Sequence, residues 1–330
     1  MKLTTAGESH GKMLVGILEG LPSNMPVDVD EINKYLALRQ GGYGRGGRQK
    51  IERDEVEILS GVRNKLTLGS PVAFSVKNRD YENWRAVMAP EGADVTQRTL
   101  TCVRPGHADL AGMIKYAQSD ARNILERASA RETAVRVVGG TLARQYLSNL
   151  GIRISGYVVS VCGEGDSSAH KFEELEAAKS QPLFMLDAAA QDRAMKLIDN
   201  LKAEGDTAGG VVEIRVKGLK SGFGSCMQYD KKLDAILCGA VMSVQAIKGV
   251  EVGLGFKAAD LKGSLVHDEI FKKGATYARV TNNAGGIEGG MSNGEEIVLR
   301  AAMKPIPTLM KGLRTVDTAT GREEIGRAHV

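Results

Sequence analysis

Aromatic residues are scarce in this chain of 330 residues: they make up 5% of it, with a single tryptophan. That argues against a surface that stacks nucleic-acid bases, which needs rings in series. The four cysteines, Cys102, Cys162, Cys226 and Cys238, show no CxxC spacing. A zinc ribbon and a dithiol motif are therefore not expected, and reduced, mostly buried thiols in a reducing compartment are. No metal-ligand set with workable spacing occurs, so no metal is expected. No apolar run reaches the length of a membrane span, and the N-terminus has no signal-peptide core. The expectation is a cytoplasmic protein without a membrane partner. A net charge of +4 calls for no long polyanion, and no nucleic-acid partner is expected. A strand–GxGxxG–helix unit and a GxSxG elbow are also missing.

Glycine is what the chain has in quantity. Its 40 glycines follow no collagen-like period and gather in loops, where they mark turns and close backbone approaches. Two of the five histidines lie in glycine-bordered turns: His10 in Gly7-Glu8-Ser9-His10-Gly11 and His107 in Arg104-Pro105-Gly106-His107. Histidine moves a proton near neutral pH, so two such turns suggest one acid–base site assembled by the fold. His170 and His267 stand among charged residues and are expected at the surface. His329, beside the end of the chain, is given no role.

Periodicity gives the elements. Strands are expected over 12–20, 55–60, 71–77, 152–162, 211–219, 250–254, 277–281 and 296–303. Asp30 is expected to cap a helix over 31–39. A helix is expected over 110–125, and another over 132–150, with Val135, Val138, Leu142, Tyr146 and Leu150 as its apolar stripe and Gly151 as its stop. Surface helices are expected over 172–179 and 188–203, and a long helix from a cap at Asp230 to about Ile247. Short connections between strands favour antiparallel pairing, hence a mixed α and β fold.

Charge is concentrated between Arg39 and Arg53, where Arg39, Arg45, Arg48, Lys50 and Arg53 surround the glycine-rich stretch 41–47. Arginine forks on a permissive loop suit phosphate and carboxylate; a solvated loop or an RNA-binding segment would use the same residues. In Glu126-Arg127-Ala128-Ser129-Ala130-Arg131-Glu132-Thr133, Ser129 and Glu132 have capping-box spacing. A helix start flanked by arginines is also an anion site. Lys304-Pro305-Ile306-Pro307-Thr308 reads as a rigid turn, and Gly285–Ser292 as a backbone-permissive loop.

Taken in order, five of these segments closely resemble the chorismate synthase family: Gly7–Gly11 with the run to Leu21-Pro22, the loop Gly41–Arg48, Arg104–His107, Arg127–Thr133 and Lys304–Thr308. The resemblance covers essentially the whole chain as one domain, 1–330. It implies an α+β, β-α-β sandwich with a helical core between antiparallel sheets, assembled as a homotetramer. The implied reaction is a 1,4-anti-elimination of phosphate from 5-enolpyruvylshikimate 3-phosphate to give chorismate, the last step of the shikimate pathway. Reduced FMN is required without net redox change, and NADPH is a candidate reductant. By resemblance, Ser9, Arg39, Arg45, Arg48, Arg104, Ser129 and Arg131 hold the substrate. FMN falls to Arg127, Ala128, Ser129, Gln245, Ala246, Gly289, Lys304, Pro305, Ile306, Pro307 and Thr308, and NADP to Arg39 and Arg45. His10 corresponds to the acid that protonates the departing phosphate, and His107 to the partner of the flavin ring edge. The family's Arg-Ser-Asp segment, whose Asp serves proton abstraction, is expected soon after the Lys304 turn and is not found before Val330. An ordinary flavoprotein oxidoreductase and an RNA-binding module are the other classes these residues leave open.

Overall fold

The computed structural model describes residues 1–45, 53–166 and 168–326. Arg48 and Lys50 lie outside them. The class is α+β with antiparallel sheets. The chain groups into two compact units: Met1–Tyr146 with Ile198–Thr207 and Ile306–Val330, and Leu147–Leu197 with Ala208–Pro305.

The first unit is built on a four-stranded antiparallel sheet. Its principal strands are β1 (Lys2–Ala6), β2 (Met13–Glu19), β3 (Val56–Ile58) and β4 (Val72–Lys77), in the order β1-β2-β4-β3. Alternation puts Leu14 and Leu18 of β2 and Val72, Phe74 and Val76 of β4 on one face. Against them pack Ile32 and Leu36 of α1 (Val29–Gln40). Gly16 of β2 leaves room for the Phe74 ring, since a Cβ there would lie 2.4 Å from its Cε2. Helix α1 begins two residues before the expected start. Its cap is Asp28, whose carboxylate accepts from the N–H groups of Asp30 and Glu31.

The expected helix over 110–125 is two helices, α2 (Asp109–Tyr116) and α3 (Arg122–Ala128). Ala117 turns left-handed at φ 52°, and Asp120 starts α3 by accepting from the Arg122 N–H. Gly112 of α2 lets Ile124 of α3 pack in directly. Helix α4 (Thr133–Asn149) buries Val135, Val138 and Leu142 in the same core, with Tyr146 partly covered. Leu150 falls beyond its end and is exposed.

The second unit centres on a five-stranded antiparallel sheet. Its principal strands are β5 (Arg153–Val161), β6 (Gly210–Lys217), β7 (Ile247–Val252) and β8 (Ile297–Met303), in the order β7-β8-β6-β5. The expected surface helix at 172–179 is a 3-10 helix, Phe172–Ser180. It buries Phe172, Leu175 and Ala178 beside Tyr157 of β5, a three-residue spacing that matches three residues per turn. Helix α5 (Ala188–Ala203) has the expected bounds. The helix expected from Asp230 to Ile247 is shorter: α6 runs Leu233–Met242, and Asp230 sits in a separate 3-10 turn. Ala246, left-handed at φ 71°, closes the turn that lets Ile247 pair with Met303.

Two further expectations are corrected. His170 is not a free surface residue: its side chain is mostly covered and lies 2.6 Å from the Asp166 carboxylate. The cysteines are all free but not buried, with Cys162 and Cys226 exposed. No helix among the described residues is long and apolar enough to cross a membrane.

Candidate active site

The site grows from the turn after β1. Gly7 adopts φ +104°, and a Cβ there would lie 2.5 Å from the Met13 carbonyl oxygen, so the turn requires glycine. The Asn78 side chain, just past β4, ties the turn by donating to the Glu8 and Gly11 carbonyls at 3.1 and 2.7 Å. The Ser9 N–H donates to the Glu126 carbonyl. This lays His10 against the Glu126 side chain of α3.

The Glu126 carboxylate is almost fully enclosed, whereas the His10 side chain is 16% exposed. His10 Nδ1 lies 3.0 and 2.8 Å from its two oxygens, and the His10 backbone N–H donates to it at 2.9 Å. Arg122 Nη1 donates to the same carboxylate at 3.0 Å. Burial alone would raise the Glu126 carboxyl. The hydrogen bonds and charge of His10, with Arg122, outweigh it and hold the group below its ordinary range.

His107 repeats the pattern. Its Nδ1 lies 2.5 Å from Asp109 Oδ1, and Arg104 Nε donates to Asp109 Oδ2 at 2.9 Å. Arg104 Nη2 is 3.1 Å from the same Nδ1. A single nitrogen cannot accept from the guanidinium while donating to the carboxylate, and the shorter contact assigns Nδ1–H to Asp109. Burial pushes the Asp109 carboxyl up, but His107 and Arg104 outweigh it and leave it far below the usual carboxylate range. A small core of Val103, Met113, Ala121 and Ile124 fixes the His107 segment relative to α3. Beside Arg104, a shallow open cleft is lined also by Cys102, Pro105, Pro307, Lys311 and Leu313.

Both carboxylates titrate below their unfolded values, near pH 4. Their contribution to stability is therefore full above that pH and is lost as pH falls through the folded values. The urea midpoint should hold from neutral pH to about pH 5 and fall steeply below about pH 4. Asp109→Asn should flatten that fall; an unchanged slope would remove Asp109 from the account.

The structure brings other expected residues together. Ser129 Oγ donates to Ser9 Oγ at 3.3 Å. It also accepts from the Arg131 N–H, while the Glu132 carboxylate is engaged by Thr5 and Arg136 instead of closing a capping box. Arg127 donates to the Thr5 and Gly7 carbonyls and so anchors the His10 turn. Arg131 is buried, donating at 2.5 Å to Asp54 and at 2.9 Å to the Asn78 side-chain oxygen. Arg39 reaches the same Asp54 oxygen at 3.3 Å. Arg45 is exposed. Arg104 Nη1 lies 3.5 Å from Thr308 Oγ1.

The residues expected to touch the cofactor are divided. Arg127, Ala128, Ser129, Ile306, Pro307 and Thr308 belong to the first unit, and Gln245, Ala246, Gly289, Lys304 and Pro305 to the second. Within the second, the Lys304 N–H donates to the Ala246 carbonyl, so the Gln245–Ala246 turn adjoins the Lys304 turn. Gly289, at φ +60°, has open space where a Cβ would stand.

The sequence reading gave no role to Glu126, Asp109, Asp54, Asn78, Arg122 or Trp84, although Glu126 heads the segment that runs to Thr133 and Asp109 lies two residues after His107.

An α+β enzyme with two imidazole–carboxylate–arginine groups and further paired arginines belongs to the class equipped for acid–base chemistry on an anion. The family model for chorismate synthase matches residues 1–329. Chorismate synthase of Pelobacter propionicus is 55% identical over 97% of this chain and 84% of its own length. That of Alkaliphilus metalliredigens is 53% identical with the same coverages. A crystal structure of chorismate synthase superposes with a TM-score of 0.78 at 43% identity, covering 93% of this chain and 84% of its own. The chain belongs to the chorismate synthase family, whose enzymes are lyases acting on phosphates.

Proposed function

We propose that this chain eliminates phosphate and a proton from 5-enolpyruvylshikimate 3-phosphate to form chorismate, with reduced FMN and no net redox change. The observation that carries the reading is the His10 ring held on the Glu126–Arg122 pair beside Ser9 and Ser129.

His10 Nδ1 is committed to the Glu126 carboxylate, so protonation of the departing phosphate is assigned to Nε2. The Ser9 and Ser129 hydroxyls offer neutral donors next to it. Arg39 and Arg131, oriented by Asp54, and Arg104, oriented by Asp109, present fixed forks for a substrate with one phosphate and two carboxylates. Arg45 and Arg48 would complete the grip from the loop, and Arg39 and Arg45 would meet NADPH where it serves as reductant. Reduced FMN, when bound, supplies transient electron density to expel phosphate. Arg127, Ala128, Ser129, Gln245, Ala246, Gly289 and Lys304–Thr308 would hold it, and His107, fixed by Asp109, would face its ring edge.

Homo-oligomeric assembly is part of the same reading. Helix α6 is apolar along most of its length, yet Ile236 and Met242 are exposed, as are Phe256 and Tyr277. Apolar surface of that extent suits a partner copy. The work is done in the cytoplasm.

Anaerobic mixing of the protein with reduced FMN and substrate should give chorismate absorbance and phosphate in equal amounts. Phosphate release without chorismate would reject the assignment.

A further inference from the structure

We infer that Glu126 is a positioning residue for the acid: it fixes which nitrogen of His10 carries the resting proton and which faces the substrate. The inference rests on the reading of His10 as the acid given above.

A carboxylate ion accepts hydrogen bonds and donates none. Glu126 therefore requires a proton on His10 Nδ1 whether the ring is neutral or charged. The neutral ring is then the Nδ1–H tautomer with Nε2 bare. The charged ring has its second proton on Nε2, ready to leave. The opposite tautomer would set two acceptors 2.8 Å apart in a buried place.

Three features hold this choice in place. The His10 backbone N–H donates to the same carboxylate, so ring and main chain move together. Arg122 adds its charge to that of His10 on the carboxylate, and its own Nε is tied to the Arg98 carbonyl at 2.7 Å. One face of the ring lies on Trp84, with centroids 4.0 Å apart and planes at 29°. Trp84 is fixed by its Nε1–H donating to Asp80 and by the Arg98 and Arg122 guanidinium groups over its ring. Among the described residues, the charged groups set about the imidazole include Glu126 and Arg122 from α3, and Arg98 and Asp80, which hold Trp84. Glu126 bonds to the ring directly. The tryptophan fixes the plane and the glutamate fixes rotation within it.

A role confined to holding the turn would show only as lost stability, so the test reads the proton. In the wild-type protein with nitrogen-labelled histidine, the His10 signals, assigned by their absence in His10→Ala, should show the Nδ1–H tautomer at alkaline pH. Glu126→Gln keeps the shape and removes the charge. It should lower kcat at least about tenfold with KM changed little. Glu126→Asp, which keeps the charge, should recover part of that loss. An Nε2–H tautomer in the wild type would overturn the inference, and this arm needs no variant to fold. A folded Glu126→Gln enzyme with unchanged kcat would overturn it too. If His10→Ala turns over normally, the acid reading fails. If His10→Ala is inactive while Glu126→Gln is unaltered, only the inference fails.

Discussion

His10→Ala should lower turnover by roughly 10²-fold or more while substrate and FMN bind within a few-fold of wild type. The split follows from what the ring touches. It leans on Glu126 and Trp84, and the arginine forks are held by other partners, Asp54 and Asp109. Removing the ring takes away a proton donor and leaves the forks that grip anions. Stopped-flow turnover with equilibrium binding separates the two. Near-normal turnover would take His10 out of the chemistry, and a large loss of affinity with normal kcat would make it a binding residue.

Asp54→Ala should be the costliest single change to stability. The Asp54 side chain is fully enclosed, and one of its oxygens is shared by Arg131 and Arg39. Arg131 is itself 7% exposed. Deleting the carboxylate leaves a buried guanidinium without its counter-charge, for which about 3–5 kcal/mol is expected. The other Asp54 oxygen is buried with no hydrogen-bond partner. Asp54→Asn, which keeps the shape, should then destabilise too, through lost charge alone. Urea unfolding followed by circular dichroism measures both. A cost under about 1 kcal/mol for the alanine variant would place this trio with surface pairs, whose worth is of that size.

Apolar spacing made much of the fold legible. Val135, Val138 and Leu142 announce α4, and the alternation of β2 and β4 announces the first sheet, because those residues obey the periods of helix and strand. The break at Ala117 was hidden, since neighbouring apolar residues continue the helical pattern while the chain turns left-handed. Phe172, Leu175 and Ala178 fit either an α-helix or a 3-10 helix, and contact with β5 decides. The histidines stood out through their glycine turns. Their carboxylates did not: Glu126 is 116 residues from His10, and a charged residue in a sequence reads as solvated until a partner is found. Arg131 was picked out for the right chemistry, but its burial against Asp54 is a tertiary fact that no local pattern encodes.

The account stands most directly on the ratio of chorismate formed to FMN reduced, measured anaerobically with a known amount of reductant. Loss of phosphate and a proton leaves the substrate's oxidation state unchanged, so one reduction should support many turnovers. For a chain that carries the family's Arg-Ser-Asp segment, the expected ratio is far above one and grows with time while oxygen is excluded. A ratio held at one product per reduction would make the flavin a consumed reductant and the protein an oxidoreductase, contradicting the account.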